Sequence, residues 1–386
     1  MKRRKVLVVA MLDSVHTARW LAQFVDENID FYLYPSRKFK KINPDLCNLL
    51  DNQKIANFRT LPFFNPIKFA GYLDFLLFVT VKKISFLDLR RLYLTWIISR
   101  KTFDYIHALE IQGAGYLCLE AIPKNFDKDF IVTNWGSDIS YFSQFSEHKN
   151  KIVNLLRRAT KYSAECERDY KLAKELGFTG INLTCIPNAG GFTLTDNKFN
   201  FDLPSTRTMV VLKGYGGEFG RANILIECVE EILHENLEYQ YFFYSVTDEL
   251  LPRMLELKNK FQKNVNFSSR RNPIPREELI KYFLKARVYV GASISDGVST
   301  SFLEAIVTGA YPIQTDTSCA NEWVSKGVVA SVIPLDEELI SKEIRYALIS
   351  NKMVDNAFEK NQEIARKYLD KNVVEQSALQ FYRKIE

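Results

Sequence analysis

The chain has 386 residues, 47% hydrophobic and 25% charged, enough apolar material for more than one core. Its formal net charge of +6 suits phosphate-bearing ligands or an anionic membrane surface and is too small to argue for nucleic acid. The six cysteines (Cys47, Cys118, Cys166, Cys185, Cys228 and Cys319) form no Cys-x-x-Cys pair and there are four histidines, so no metal, no cofactor and no disulfide framework is expected, and a reducing cytoplasm is the expected home.

In chain order, "MKRRKVLVVAMLDSVH" carries basic residues and then an apolar run, as a leader would. The run is short and no small-residue cleavage pattern follows, so residues 5–12 are expected to form a buried strand. "HTARWLAQFVDEN" follows with Ala18, Leu21, Ala22 and Val25 on one helical face, and "IDFYLYPS" closes a β-α-β unit. "FDYIHALE" and "DFIVTNWGSD" read as strands with the helix "GAGYLCLEAI" between them. The stretch "PNAGGFTLTDNKFNFDLPST", rich in Asn, Gly, Thr and Pro, reads as a linker. The rhythm then restarts. "TMVVLKG", "YQYFFYSV", "NVNFSS", "RVYVGAS" and "YPIQT" read as strands, and "ANILIECVEEIL", "ELLPRMLELKNK", "REELIKYFLKA" and "TSFLEAIVTG" as the helices between them. Helical "VDNAFEKNQEIARKYLDK" and "VVEQSALQFYRKI" end the chain. The class is therefore α/β, with two successive halves whose parallel sheets are covered by helices.

Residues 62–101 depart from this rhythm, being aromatic, apolar and basic. They read either as buried helices of the first half or as a peripheral membrane contact, at the inner face of the cell membrane, in which Lys68, Lys82, Lys83, Arg90 and Arg91 meet anionic headgroups. No stretch approaches the roughly 18 uncharged apolar residues of a membrane span.

"SDGVSTSFLEAIVTGAYPI", residues 295–313, sets Asp296 and Glu304 where a strand runs into a helix. That is the carboxyl edge of a parallel sheet, where open α/β sheets bind ligands. Unpaired N–H groups and the helix dipole make the helix start a phosphate site. Gly297 permits close backbone approach. Ser299, Thr300 and Ser301 can cap the helix or bond phosphate oxygens, and Glu304 can accept two hydroxyls of a ribose. The local alternative is a capping box, Ser301-x-x-Glu304.

This stretch resembles the signature of retaining glycosyltransferases of family four, which have the GT-B fold: a Glu, seven residues, a second Glu, then a small-residue helix end and a Pro-bearing strand. Asp296 stands at the first Glu, keeping the charge and shortening the reach, and Glu304 stands at the second. "VVLKGYGGEFGRANILIE" is similar to the family's phosphate-binding loop and the strand before it, and "CIPNAGG" to the turn entering the interdomain linker. "VTNWGSD" resembles a His-Gly-Ser-Asp-like turn, with Trp135 in place of the histidine. "SVHTARWLAQF" is similar to the first loop and helix, and "YIHALEIQGAG" to a strand end facing the acceptor cleft.

The resemblance implies two Rossmann-like domains facing a central cleft, with a C-terminal helix packing back on the N-terminal domain. The expected organisation is an acceptor-binding domain over 1–192, a linker over 193–206, a nucleotide-sugar-binding domain over 207–364 and a crossing helix over 365–386. The implied reaction is retaining, metal-independent transfer of a hexose-type sugar from a nucleotide sugar to the hydroxyl of a glycan, lipid-linked or protein acceptor. Asp296, Lys213, Arg221 and His107 are the expected catalytic residues, with Lys213 and Arg221 on the diphosphate. Glu304, Gly297, Val298, Ser299, Thr300 and Gly214 are expected to bind the donor, and His16 and Asp138 to face the acceptor. Glu322, beside Cys319, reads equally as a donor contact or a surface charge. Two other classes stay open: a sugar-nucleotide epimerase or hydrolase of this fold, and a non-catalytic nucleotide-sugar-binding partner subunit. A dinucleotide-dependent oxidoreductase is disfavoured, because "KGYGGEFGRA" lacks the G-x-G-x-x-G spacing.

Overall fold

The apolar runs form two parallel sheets. A computed structural model describes residues 3–24, 28–39, 41–51, 58–60, 86–194, 202–235 and 238–383. The first sheet contains β1 (Arg4–Ala10), β2 (Ile29–Pro35), β3 (Phe58–Thr60), β4 (Tyr105–Leu109), β5 (Asp129–Thr133), β6 (Lys161–Ser163) and β7 (Ile181–Asn182), in the order β3-β2-β1-β4-β5-β6-β7. The second contains β8 (Met209–Lys213), β9 (Gln240–Val246), β10 (Val265–Ser269), β11 (Ala286–Gly291), β12 (Tyr311–Thr315) and β13 (Ser331–Ile333), in the order β10-β9-β8-β11-β12-β13. Both orders reverse direction beside their first strand, between β1 and β4 and between β8 and β11, and the carboxyl edge at such a switch point is where open α/β sheets bind ligands.

The chain divides into two units, Met1–Gly190 with Glu375–Glu386, and Gly191–Val374. The helix Asn351–Tyr368 stays with the second unit, and the return to the first falls within the helix Lys371–Leu379. The central strands β1, β4, β8 and β11 are almost wholly apolar and buried, as sheets covered on both faces require. In the first unit Leu7 and Val9 pack with Ile106, Ala108, Val132, Ile152 and Leu155. In the second, Val210 and Leu212 pack with Leu225, Val229, Val288, Val290 and Ile344.

The first unit is closed by its returning end. Tyr382 packs edge-on against Phe24, Phe31 and Tyr105, and Phe381 lies 5.1 Å from Trp20 between ring centroids. Arg4 donates to the Tyr382 carbonyl.

Of the five cations expected at a membrane surface, Lys68, Lys82 and Lys83 lie outside the described residues. Arg90 and Arg91 sit on the helix Phe86–Arg100. Arg90 donates to the Ser36 carbonyl at 2.7 Å and so faces its own unit, whereas Arg91 lies 3.9 Å from Glu120 with both side chains open to solvent. Among the described residues no helix is long and apolar enough to cross a membrane.

Candidate functional site

The expected carboxylates both lie in the second unit, each opposite its own cation. Lys213 ends β8, and Asp296 lies in the loop after β11, which is the strand beside it. Their Nζ and Oδ2 are 3.3 Å apart. Burial pulls the Lys213 ammonium down, but Asp296, Tyr289 and Tyr215 outweigh it and hold its pKa above the usual lysine range. The cation is therefore fixed in its charged form at the switch point.

Backbone contacts stitch the two loops together. The Arg221 N–H donates to the Ala292 carbonyl at 3.1 Å and the Ile294 N–H to the Phe219 carbonyl at 2.8 Å. The Cys319 N–H holds the Gly297 carbonyl at 2.9 Å, tying the acidic turn to the loop after β12. Cys319 is buried, and Glu322 sits in the helix Ala320–Ser325 that follows.

Glu304 lies on the helix Thr300–Thr308 and is 3% exposed. A carboxylate so buried needs a partner, and Arg276 Nε donates to its Oε1 at 3.3 Å. The Arg276 guanidinium also covers the Phe192 ring, 5.4 Å from its centroid. The capping-box alternative does not form. The N-cap is Ser299, two residues before the position that Ser301-x-x-Glu304 requires, and its hydroxyl makes no cap bond. Ser301 Oγ accepts instead from Tyr244 at 2.6 Å. The first N–H groups of the helix therefore have no side-chain cap, beside a turn in which Val298 and Ser299 are buried and Thr300 half-buried.

Two expected donor residues are otherwise engaged. The Gly214 N–H donates to the Tyr244 carbonyl at 2.9 Å, so its amide belongs to the sheet. Arg221 Nη1 bonds the carbonyls of Gly217, Glu218 and Gly220, at 2.6 Å for Gly220. The loop curls so tightly that a Cβ on Gly220 would meet the Tyr215 carbonyl oxygen at 2.0 Å. Arg221 staples this curl.

His107 lies apart, in the first unit. It is fully buried in β4, with Nδ1 2.7 Å from the Tyr382 hydroxyl and Nε2 2.7 Å from Thr133 Oγ1. Burial lowers its pKa to about 3, so the ring stays neutral. Both ring nitrogens are thus paired inside the core of the first unit, away from the charged edge of the second sheet. His16 opens the helix Val15–Ala22, and its ring lies 5.4 Å from that of Trp135.

Asp138 is buried at the carboxyl edge of the first sheet, where its Oδ2 accepts the Ile111 N–H at 3.0 Å. Burial, and then the neighbouring Glu110, raise its pKa to about 7. Glu110 follows β4 directly at φ 95°, an uncommon conformation for a residue with a side chain. Its carboxylate caps the turn Ile111–Gly115 through the Gly113 and Ala114 N–H groups. Glu110, Arg270 and Arg276 are the edge residues that sequence reasoning missed. The first stands in the strand end "ALEIQGAG", Arg270 in the polar gap "RRNPIP" that follows an expected strand, and Arg276 at the start of the expected helix "REELIKYFLKA".

No protein-family model matches the chain. No curated protein matches its sequence. Solved structures do match, over nearly the whole length. Anabaena Alr3699/HepE in complex with UDP and glucose superposes with a TM-score of 0.67 at 14% identity, covering 98% of this chain and 99% of that one. Sucrose-phosphate synthase from Thermosynechococcus elongatus gives 0.69 at 14%, covering 99% and 98%. A mutant of S. aureus TarM, in complex with fondaparinux, alpha-GlcNAc-glycerol and UDP, gives 0.70 at 9%, covering 99% and 100%. The fold shared with these proteins is GT-B.

Proposed function

We infer that the chain is a glycosyltransferase that moves a sugar from a nucleoside diphosphate to an acceptor hydroxyl. The observation that carries this is the charged carboxyl edge of the second sheet, where Lys213 and Asp296 pair across the two switch-point loops beside an uncapped helix start. Solved structures of the same fold hold UDP, glucose or UDP-glucose.

In the proposed reaction the bond from the sugar anomeric carbon to the diphosphate oxygen breaks. The acceptor oxygen bonds to that carbon, and its proton passes to the leaving diphosphate. Charge grows on the diphosphate as its bond breaks, so a fixed ammonium there lowers the barrier more than it stabilises the bound donor. Lys213 supplies that charge, and the start of the helix Thr300–Thr308 adds its dipole. With a protein cation at the leaving group, the reaction is read as metal-independent. Glu304 is assigned the ribose hydroxyls, exchanging part of its contact with Arg276 for them. Asp296 positions the sugar or the phosphate through Lys213. Retention, and a place in family four, rest on the Asp296/Glu304 signature. The acceptor, a glycan, a lipid-linked glycan or a protein, is assigned to the first unit at the edge carrying His16 and Asp138.

The test is calorimetry with UDP and GDP on Glu304→Ala, beside a thermal-shift and mass-spectrometric screen of nucleotide sugars on the wild type. Affinity is expected to fall about 10–100-fold, the size of one or two lost charge-assisted hydrogen bonds, with the fold retained. Unchanged affinity with lost thermal stability would make Glu304 a structural residue. Consumption of a nucleotide sugar without acceptor would indicate a hydrolase or epimerase, and binding without any turnover a partner subunit.

A further inference from the structure

The charged edge of the second sheet contains a cation that the sequence motif does not include. We propose that Arg270, together with Lys213, holds the diphosphate of the donor, in the place the motif gives to Arg221; this rests on the nucleotide-sugar reading of the same site. A diphosphate carries more negative charge than one ammonium balances, so the cation to seek beside Lys213 is one without a carboxylate partner. Besides Lys213, the loops that meet at this edge carry Arg221, Arg270, Arg271 and Arg276. Arg221 is tied back to its own loop, where its Nη1 faces the carbonyls of Gly217, Glu218 and Gly220. Arg271 is paired with Asp248 at 2.8 Å. Arg276 is paired with Glu304.

Arg270 is exposed and makes no ion pair among the described residues. Its backbone N–H donates to the Val246 carbonyl at 2.8 Å, which fixes where it leaves β10. Its guanidinium then reaches back over the Tyr215 ring, 5.2 Å from the centroid, and Lys213 Nζ lies 5.0 Å from the same centroid. One aromatic ring thus gathers two cations from β8 and β10, at most about 10 Å apart whichever faces they occupy. Asp296 balances Lys213, whereas no carboxylate among the described residues balances Arg270. An anion with two phosphoryl groups fits that pair, because a guanidinium can bond phosphate oxygens bidentately while the ammonium acts as a point charge. Arg221 then has a positioning role, holding the curled loop that presents Tyr215.

The experiment is calorimetry on the full chain with UDP and UMP, and with GDP and GMP, comparing wild type, Arg270→Ala, Arg270→Lys and Arg221→Ala. The expected result is a loss of about 10–100-fold in diphosphate affinity for Arg270→Ala. The same variant should lose several-fold less for the monophosphate, and Arg270→Lys should recover part of the difference. Arg221→Ala loosens the curl that presents Tyr215, so it should lose some diphosphate affinity, but less than Arg270→Ala. An unchanged ratio in Arg270→Ala, or a larger loss of diphosphate affinity in Arg221→Ala than in Arg270→Ala, returns the second cation to Arg221 and overturns the proposal while leaving the nucleotide site standing. A wild type that binds neither diphosphate removes the nucleotide reading itself, and this proposal with it.

Discussion

The two sheets reverse strand order in the same way, yet their carboxyl edges treat buried carboxylates differently. In the first unit, Glu110 and Asp138 are satisfied by backbone N–H groups of one short turn. Burial dominates there, and both pKa values rise. In the second unit, Asp296 and Glu304 face side-chain cations from other loops. A carboxylate held by its own backbone is a fixed part of a wall. One held by a long cation can trade partners when an anion or a diol arrives. The same strand topology thus builds an edge held by its own backbone in one unit and an edge held by side-chain cations in the other. The proposed acceptor and donor sites call for that division.

Removing the charged edge tests this contrast most severely. Lys213→Ala should slow sugar transfer about 100–1,000-fold at saturating donor, the usual loss for one group that stabilises developing charge. A change confined to KM would mean that Lys213 only binds, and the contrast between a wall and an exchangeable site would lose its catalytic half. Arg276→Ala has a smaller expected effect. It leaves the buried Glu304 without that cation, so the urea midpoint should drop by an amount equivalent to about 1–3 kcal/mol. Glu304→Gln should cost less, because the Arg276 left behind is open to water. Equal costs would show that the pair is not asymmetric.

The smallest expected effect belongs to the first unit. Asp138 titrates at about 7 in the folded chain against 3.8 for an ordinary aspartate. Between those values the folded chain keeps a proton that the unfolded chain has released, so stability falls as pH rises from about 4 to about 7 and then levels off. Asp138→Asn should remove that slope and gain about 1–2 kcal/mol over the wild type at pH 8, with much less gain at pH 5. Urea titrations at the two pH values measure it. A wild type whose stability does not fall over this range would show Asp138 ionised and salt-bridged, like its counterparts in the second unit.

Much of this architecture is legible in the sequence, because central parallel strands are continuous apolar runs and "VVLK", "VYVG" and "YPIQ" cannot easily be anything else. Between 140 and 186 the sequence reading assigns nothing: β6 and β7 are three and two residues long, too short for any period to register, but the helix Ser146–Arg158, with Ile152, Leu155 and Leu156 buried, carries a helical period that the reading overlooks. The helix "HTARWLAQFVDEN" is shorter than its spacing suggests, with Ala22 as its last residue. At the site, Asp296 and Glu304 stand out because local order alone places them after a strand and in a helix. Of their cations, Lys213 stands out at a strand end and Arg276 does not. Arg276 opens an expected helix and Arg270 lies in the polar stretch before it, and only the fold brings them to the edge. Arg221, a cation after glycines, looks like a phosphate ligand, and whether it points outward or back onto its own carbonyls is a matter of backbone geometry that the sequence does not display. The burial of His107 is hidden because its partner, Tyr382, lies 275 residues away.

That separation has a bearing on how the chain is made. The second unit is one continuous segment, Gly191–Val374, and can finish folding from its own sequence as it emerges. The first unit starts earlier and ends later. Until residues 375–386 leave the ribosome, the pocket that receives Phe381 and Tyr382 stays open and His107 lacks one of its two hydrogen-bond partners. The half translated first is therefore completed last, and its closing contacts carry the longest loop-closure cost in the molecule. A nascent chain stalled before its final helix would hold a finished second unit beside a first unit still exposing an aromatic socket, which is the state that a chaperone would recognise.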